Sequence, residues 1–297
     1  MAAVSEEDSA RHHIASATAE AVSRVVGPDP ADPVQAGALA ALGKAASGYL
    51  DALTAVQFES VPPIHARIAL AYSHRAAAAF AEVHHLLKPT GLVHAFSGLS
   101  SLIIRTAADT FARVLEIATA TDRDAELREQ TARFIGQEVR ALEAAESAGV
   151  DVRVLLAGHR AMAGQFSTQG VRVNVSQVLE DAEEFEVLTA FRWESAHVHF
   201  GAAALAQATR SFSGDAVTID IGAAPVQQWR LGQLTWAAYG VITKLLFSSA
   251  KLAGIDTTWL RSVDSEVRGT IRQTALREPR DGEDANSPPY GKMEFAL

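Results

Sequence analysis

The stretch from Asp122 to Gly149, DRDAELREQTARFIGQEVRALEAAESAG, decides how the chain is read. Asp122 is a strong N-cap residue, because its carboxylate can accept a hydrogen bond from a free amide in the first turn. Gly149 supplies a left-handed stop. Between them, Leu127, Phe134, Ile135, Val139 and Leu142 fall on one side of a 3.6-residue spiral. Glu129, Arg133, Glu138 and Arg140 fall largely elsewhere. The pattern predicts a half-buried helix over 123–148.

The same Ala-, Leu- and Glu-rich periodicity, with few β-branched runs, continues in both directions. It predicts helices over 34–56, 64–87, 97–119, 151–162, 182–211, 225–253 and 257–276. Pro63 suits the opening of the second, and Ser176 is the expected cap for the helix after the 164–176 loop. The segment 213–225 alternates at Val217, Ile219 and Ile221 and reads as a short extended piece, one arm of a hairpin. The expectation is an all-α protein: a single multi-helix bundle of about eight helices with short loops and at most a minor β-hairpin. Residues 1–33, including the linker GPDPADP, read as a flexible N-terminal segment. Residues 34–276 read as the helical domain, and 277–297 as a disordered C-terminal tail.

Composition narrows the functions. The chain has 297 residues, of which 48% are hydrophobic and 21% charged, and this suits a soluble domain with a sizeable core. A net charge of -9 argues against an extended nucleic-acid-binding surface, since phosphate binding needs clustered cations. A local basic pocket stays open. The absence of cysteine excludes disulfides, thiolate metal sites and thiol catalysis. The polar start, MAAVSEEDSARHH, has no apolar signal core, so a cytoplasmic protein is expected. The longest apolar run, WAAYGVITKLLFSSAKLAGI from Trp236 to Ile255, is interrupted by Lys244 and Lys251. It reads as a buried helix and not as a membrane span.

Two stretches can carry chemistry. In SSLIIRTAADTFARVLE, from Ser100 to Glu116, Arg105 and Asp109 are four apart, and Arg113 and Glu116 are three apart. Both spacings put partners on one helix face. One reading is ion pairing that fixes the bundle; the other is an anion-binding arginine, Arg105, with Asp109 as its orienting carboxylate. In FRWESAHVHFG, from Phe191 to Gly201, Arg192, His197 and His199 sit among apolar positions. They can grip a phosphate, and a neutral histidine can take a proton near pH 7. The alternative is core-edge histidines satisfied by carboxylates.

Three functions are compatible with these residues. The first is a metal-independent ribonuclease: an arginine followed after four to six residues by a histidine is the signature of the HEPN superfamily. Arg192 with His197 or His199 fits that spacing, as does Arg67 with His74, while Trp193 replaces the polar residue common after the arginine. The histidine would move the ribose 2′-hydroxyl or leaving-group proton, and the arginine would hold the phosphate. The second is a di-iron bundle. Glu82 and His85, and Glu194 and His197, supply two Glu-x-x-His pairs, but the remaining glutamates do not fall in register. The third is a non-catalytic binding or scaffolding protein whose buried polar groups set helix register. No cofactor is expected.

Over about residues 35–255 the chain resembles a family of all-helical bacterial proteins of unknown function, common in actinobacteria and distantly HEPN-like. Its first pattern is matched by Ile103-Ile104-Arg105-Thr106-Ala107-Ala108-Asp109, with aspartate where glutamate is usual. Its second, aromatic-Arg-x-x-Ser-x-x-x-His, is matched by Phe191, Arg192, Ser195 and His199. The resemblance implies that Arg105 and His199 belong to one cluster. It also implies an RNA or phosphate-bearing ligand and a homodimer in which sites face one another.

Overall fold

The computed structural model describes residues 33–87, 93–166, 174–199, 209–213, 216–219 and 224–275. The expectations for the N-terminal segment, the C-terminal tail and most of the 164–176 loop fall outside these residues. Nine helices occur among the described residues: α1 (Pro33–Thr54), α2 (Ile64–Leu87), α3 (Val93–Thr119), α4 (Arg123–Ser147), α5 (Arg153–Ala163), α6 (Val175–Asp181), α7 (Phe185–Val198), α8 (Ala224–Leu252) and α9 (Thr258–Ala275). Strands β1 (Thr209–Ser213) and β2 (Ala216–Ile219) form one antiparallel hairpin, with Ser213 opposite Ala216 and Thr209 opposite Ile219. The all-α bundle expected from periodicity is the fold observed.

Local chemistry sets several helix ends. The Asp122 carboxylate accepts from the Ala125 amide at 3.0 Å, and Gly149 follows α4 with φ +86°. At α2 the Pro63 carbonyl accepts the Arg67 amide at 3.1 Å. Of the expected 182–211 helix, Phe185–Val198 is helical, residues 200–208 lie outside the described residues, and 209–211 belong to β1. Asn174, not Ser176, caps the short α6, accepting from the Gln177 amide at 3.4 Å. Glu183 then takes a left-handed φ of +58°, and the Glu184 amide returns to the Leu179 carbonyl at 2.8 Å. This closes α6 and lets α7 start in a new direction. Ser211 lies in β1, so the hairpin starts earlier than the alternation suggested.

Packing centres on α8. It lies against α2 and α3 and also touches α1 and α7, while α9 packs on α1. Ala238, Ile242, Leu246 and Ala250 of α8 are fully buried against Phe80, Ile104 and Phe111. Over its first half the facing surface of α2 is small: Ala69, Ser73, Ala76 and Ala77 are all buried. Short side chains let the two backbones close, and the Ser73 and Ser249 hydroxyls meet at 3.0 Å while also bonding their own helix carbonyls. The Trp236 to Ile255 run falls in this central helix and its C-terminal end. Among the described residues, no helix is long and apolar enough to cross a membrane.

The α4 face keeps Leu127 and Ile135 buried as expected and departs from expectation at Phe134 and Arg133. Leu127, Gln130, Ala132 and Ile135 are buried, whereas Phe134 is 53% exposed. Arg133, expected outside, has a side chain only 15% exposed. Its Nη2 donates to Glu129 at 2.6 Å, and its other terminal nitrogen lies 3.9 Å from both Glu116 and Glu126. Three carboxylates around one guanidinium offset its desolvation, which turns this edge of α4 toward α3.

One buried polar junction joins helices remote in sequence. Asp264 of α9 accepts hydrogen bonds from the hydroxyls of Tyr49 on α1 and Tyr239 on α8, and from Arg268 Nε at 2.8 Å. Arg268 also lies over the Tyr239 ring, 5.9 Å from its centroid. Burial, reinforced by the Asp264 charge, pushes both phenols above their ordinary range, so both remain donors. Asp264→Ala leaves two buried hydroxyls and a guanidinium without their acceptor and is expected to cost about 3–5 kcal/mol. Tyr49→Phe removes one neutral donor and should cost about 1 kcal/mol. Urea unfolding of both variants checks this; equal losses would show that the junction is ordinary packing.

Candidate functional site

Helix α3 carries Arg105, Asp109 and Arg113 at successive i, i+4 positions, so all three share one face. Sequence spacing suggests that Asp109 pairs with Arg105, and Arg113 with Glu116. Neither pair forms. Asp109 accepts from Arg113 Nε at 2.9 Å, and Glu116 turns to Gln130 at 3.2 Å. The choice follows helix electrostatics, because an acid placed N-terminal to its base at i, i+4 is the favoured order.

Arg105 crosses instead to α7. Its Nε donates to the Ser195 hydroxyl at 2.9 Å, and its guanidinium carbon lies 5.8 Å from the centroid of the Phe191 ring. Both arginines are thus held through Nε and are half-buried. Among the described residues, the terminal nitrogens of neither have a hydrogen-bond partner. Both line an open cleft of about 540 Å³ between α3, α4, α6 and α7. Asp109, Gln137, Ser176 and Phe191 complete its working surface. Tyr72 lies close enough for Arg113 and Asp109 to act on its phenol, which burial pushes up, so it stays neutral.

The remaining candidate residues lie elsewhere on α7. Arg192 is exposed and ion-paired with Glu180 of α6. His197 Nδ1 donates to the Trp193 carbonyl at 3.0 Å, and its ring lies against the Trp193 ring at 5.6 Å. His197 Nε2 is buried without a hydrogen-bond partner among the described residues. His199 is the exposed C-cap of the helix. Five residues of helix put Arg192 and His197 about 140° apart, whereas Arg192 and His199 fall nearly in line. Neither Arg192, His197 nor His199 lines the cleft. Arg105 meets Ser195, one turn before His199. The structure therefore brings Arg105 and Asp109 together in one cleft, adds Arg113, and leaves Arg192, His197 and His199 outside its lining.

Several cleft residues carried no signal of their own. Arg113 drew notice in sequence only for its spacing from Glu116, and Gln137 and Ser176 come from segments with no motif. Of the Glu-x-x-His pairs, Glu82 bonds Arg75 at 2.5 Å, and Glu194 is buried. Among the described residues, no group of three or more histidine or carboxylate side chains is placed to hold a metal ion. Comparison of the chain with protein-family models, curated proteins and solved structures finds no match.

The wall behind the cleft has its own titration. Glu116 is held by Gln130 and stands among Glu126, Glu129 and Arg133. Burial first and Glu126 second push its carboxyl up. The folded state then binds this proton more tightly than the unfolded chain, so ionised Glu116 opposes folding at neutral pH, and the opposition fades as pH falls through its folded pKa. Glu116→Gln keeps an acceptor for Gln130. Its thermal midpoint should exceed that of the unaltered protein by roughly 2 °C at pH 7, with the gap closing toward pH 4. A lower midpoint at pH 7 would show that Arg133 requires the Glu116 charge.

Proposed function

We propose that the protein is a helical receptor for a phosphate-bearing ligand, bound in the α3–α7 cleft by Arg105 and Arg113. The observation that carries this reading is the pair of guanidiniums, each fixed at Nε by its own partner and each with its terminal nitrogens unpartnered among the described residues. A guanidinium anchored in that way keeps its other edge in place for two parallel N–H···O bonds, which suit phosphate oxygens. Holding the side chains beforehand reduces the entropy lost on binding. Ser176 and Gln137 add neutral hydrogen-bonding groups on the far wall. Asp109 serves as the positioning residue of Arg113.

Binding is favoured over RNA cleavage because, among the described residues, the cleft is lined by cations and by no imidazole. A ribonuclease would need Arg192 and a histidine on one phosphate, and Arg192 is engaged by Glu180. The reading places the protein in the cytoplasm, and a homodimer would set two such clefts about a two-fold axis.

Calorimetric titration with a nucleoside 5′-monophosphate, beside inorganic phosphate, tests the reading. Loss of either arginine should weaken binding by about ten- to a hundredfold, as expected for charge-assisted hydrogen bonds. Ser195→Ala should weaken it less, and Arg192→Ala should leave it unchanged. Failure of both phosphates to bind the unaltered protein would contradict the proposal. So would RNA cleavage abolished by Arg192→Ala and untouched by Arg105→Ala.

A further inference from the structure

A second pocket, of about 380 Å³, lies between the 58–63 loop, the first turns of α2 and α4, and the end of α8. Its polar lining includes Glu59, Ser60, His65, Arg123 and Lys251, with Pro62 and Pro63 stiffening one wall. His65 is doubly tied to Asp124: both its backbone amide, at 3.0 Å, and its ring Nδ1, at 2.6 Å, reach the same carboxylate oxygen. These bonds, the backbone one foremost, hold the Asp124 carboxyl below its usual range, so it remains the acceptor. The carboxylate therefore fixes the tautomer, with the proton on Nδ1. Nε2 belongs to a ring that lines the pocket and has no hydrogen-bond partner among the described residues. Arg123 and Lys251 come from different helices, are exposed, and likewise have no side-chain partner among the described residues.

The charges that face His65 decide what this pocket can accept. Arg123, Asp124 and Arg128 belong to α4, Lys251 to α8 and Glu59 to the preceding loop. With a neutral imidazole, the two pocket cations are balanced by Glu59 and Asp124. A proton on His65 adds one positive charge and turns Nε2 from an acceptor into a donor. Three donors from three separate elements then surround one space, an arrangement suited to a tetrahedral oxyanion. A planar carboxylate would use only two of them.

We propose that this pocket is a second anion site, for a tetrahedral dianion of the sulfate or phosphate class, occupied when His65 is protonated. Binding and protonation are coupled in both directions. Affinity falls as pH rises and His65 loses its proton, and bound dianion in turn favours the protonated imidazole. The site is independent of the α3–α7 cleft, whose cations are arginines and stay charged throughout.

Sulfate is the suitable probe, because its own charge is constant over this range. The His65 imidazole resonances, assigned by their loss in His65→Gln, are followed by NMR from pH 5 to 8.5 in sodium sulfate and in sodium chloride of equal ionic strength. The expected result is an upward displacement of the His65 midpoint in sulfate by roughly half a pH unit or more. The displacement should vanish in an Arg123→Ala, Lys251→Ala double variant, whose altered side chains are both exposed. It should persist in Arg105→Ala, Arg113→Ala, which separates this site from the cleft. Identical titration curves in the two salts would overturn the proposal, as would a displacement that survives loss of Arg123 and Lys251.

Discussion

Asp109 accepts one guanidinium through Nε, and it accepts that of Arg113. The cleft depends on this choice. Had Asp109 taken Arg105, the two side chains would have closed on each other along α3. Arg105 reaches across to Ser195 and Phe191 instead, tying α3 to α7 at the point where the cleft opens. A local preference on one helix face therefore decides a contact between segments 90 residues apart. The wall behind it is built in the same way, with Glu116 drawn to Gln130 and toward Arg133 and not to its own neighbour Arg113.

The bundle supplies the rigid frame for this. Helix α8 is buried between α2 and α3 through small side chains on one side and aliphatic ones on the other. Asp264 fixes α9 to α1 and to α8 by taking hydrogen bonds from two tyrosines and an arginine. Because α3 is packed along its buried face, the arginines on its other face emerge from a fixed backbone. Their Nε bonds then leave little freedom before a ligand arrives.

Helix content was legible because periodicity and capping are local. Asp122, Gly149 and Pro63 end helices where their chemistry says they should. The break at Glu183 was not legible, because LEDAEEFE is good helix sequence and a left-handed glutamate has no compositional mark. On α4, Leu127 and Ile135 were legible as core residues, whereas Phe134 resembles a core residue and Arg133 a surface one. Three glutamates from two helices reverse that, and their convergence exists only in three dimensions. Arg105 and Asp109 could be singled out from spacing and burial alone. Which of them would pair required knowing that Ser195 stands opposite. The Arg192 and His197 spacing matches a nuclease signature, yet on a helix it directs the two side chains to different faces.

Two guanidiniums, anchored at Nε and open at their outer nitrogens, carry the proposed binding. Nitrogen-15 NMR of the arginine side chains reads those two ends separately. The Nε–H signals of Arg105 and Arg113 should be protected from exchange without ligand, while their Nη–H₂ signals sharpen and become protected only when a nucleoside monophosphate is added. Nη groups already protected in the free protein, or unchanged at saturating ligand, would contradict that role.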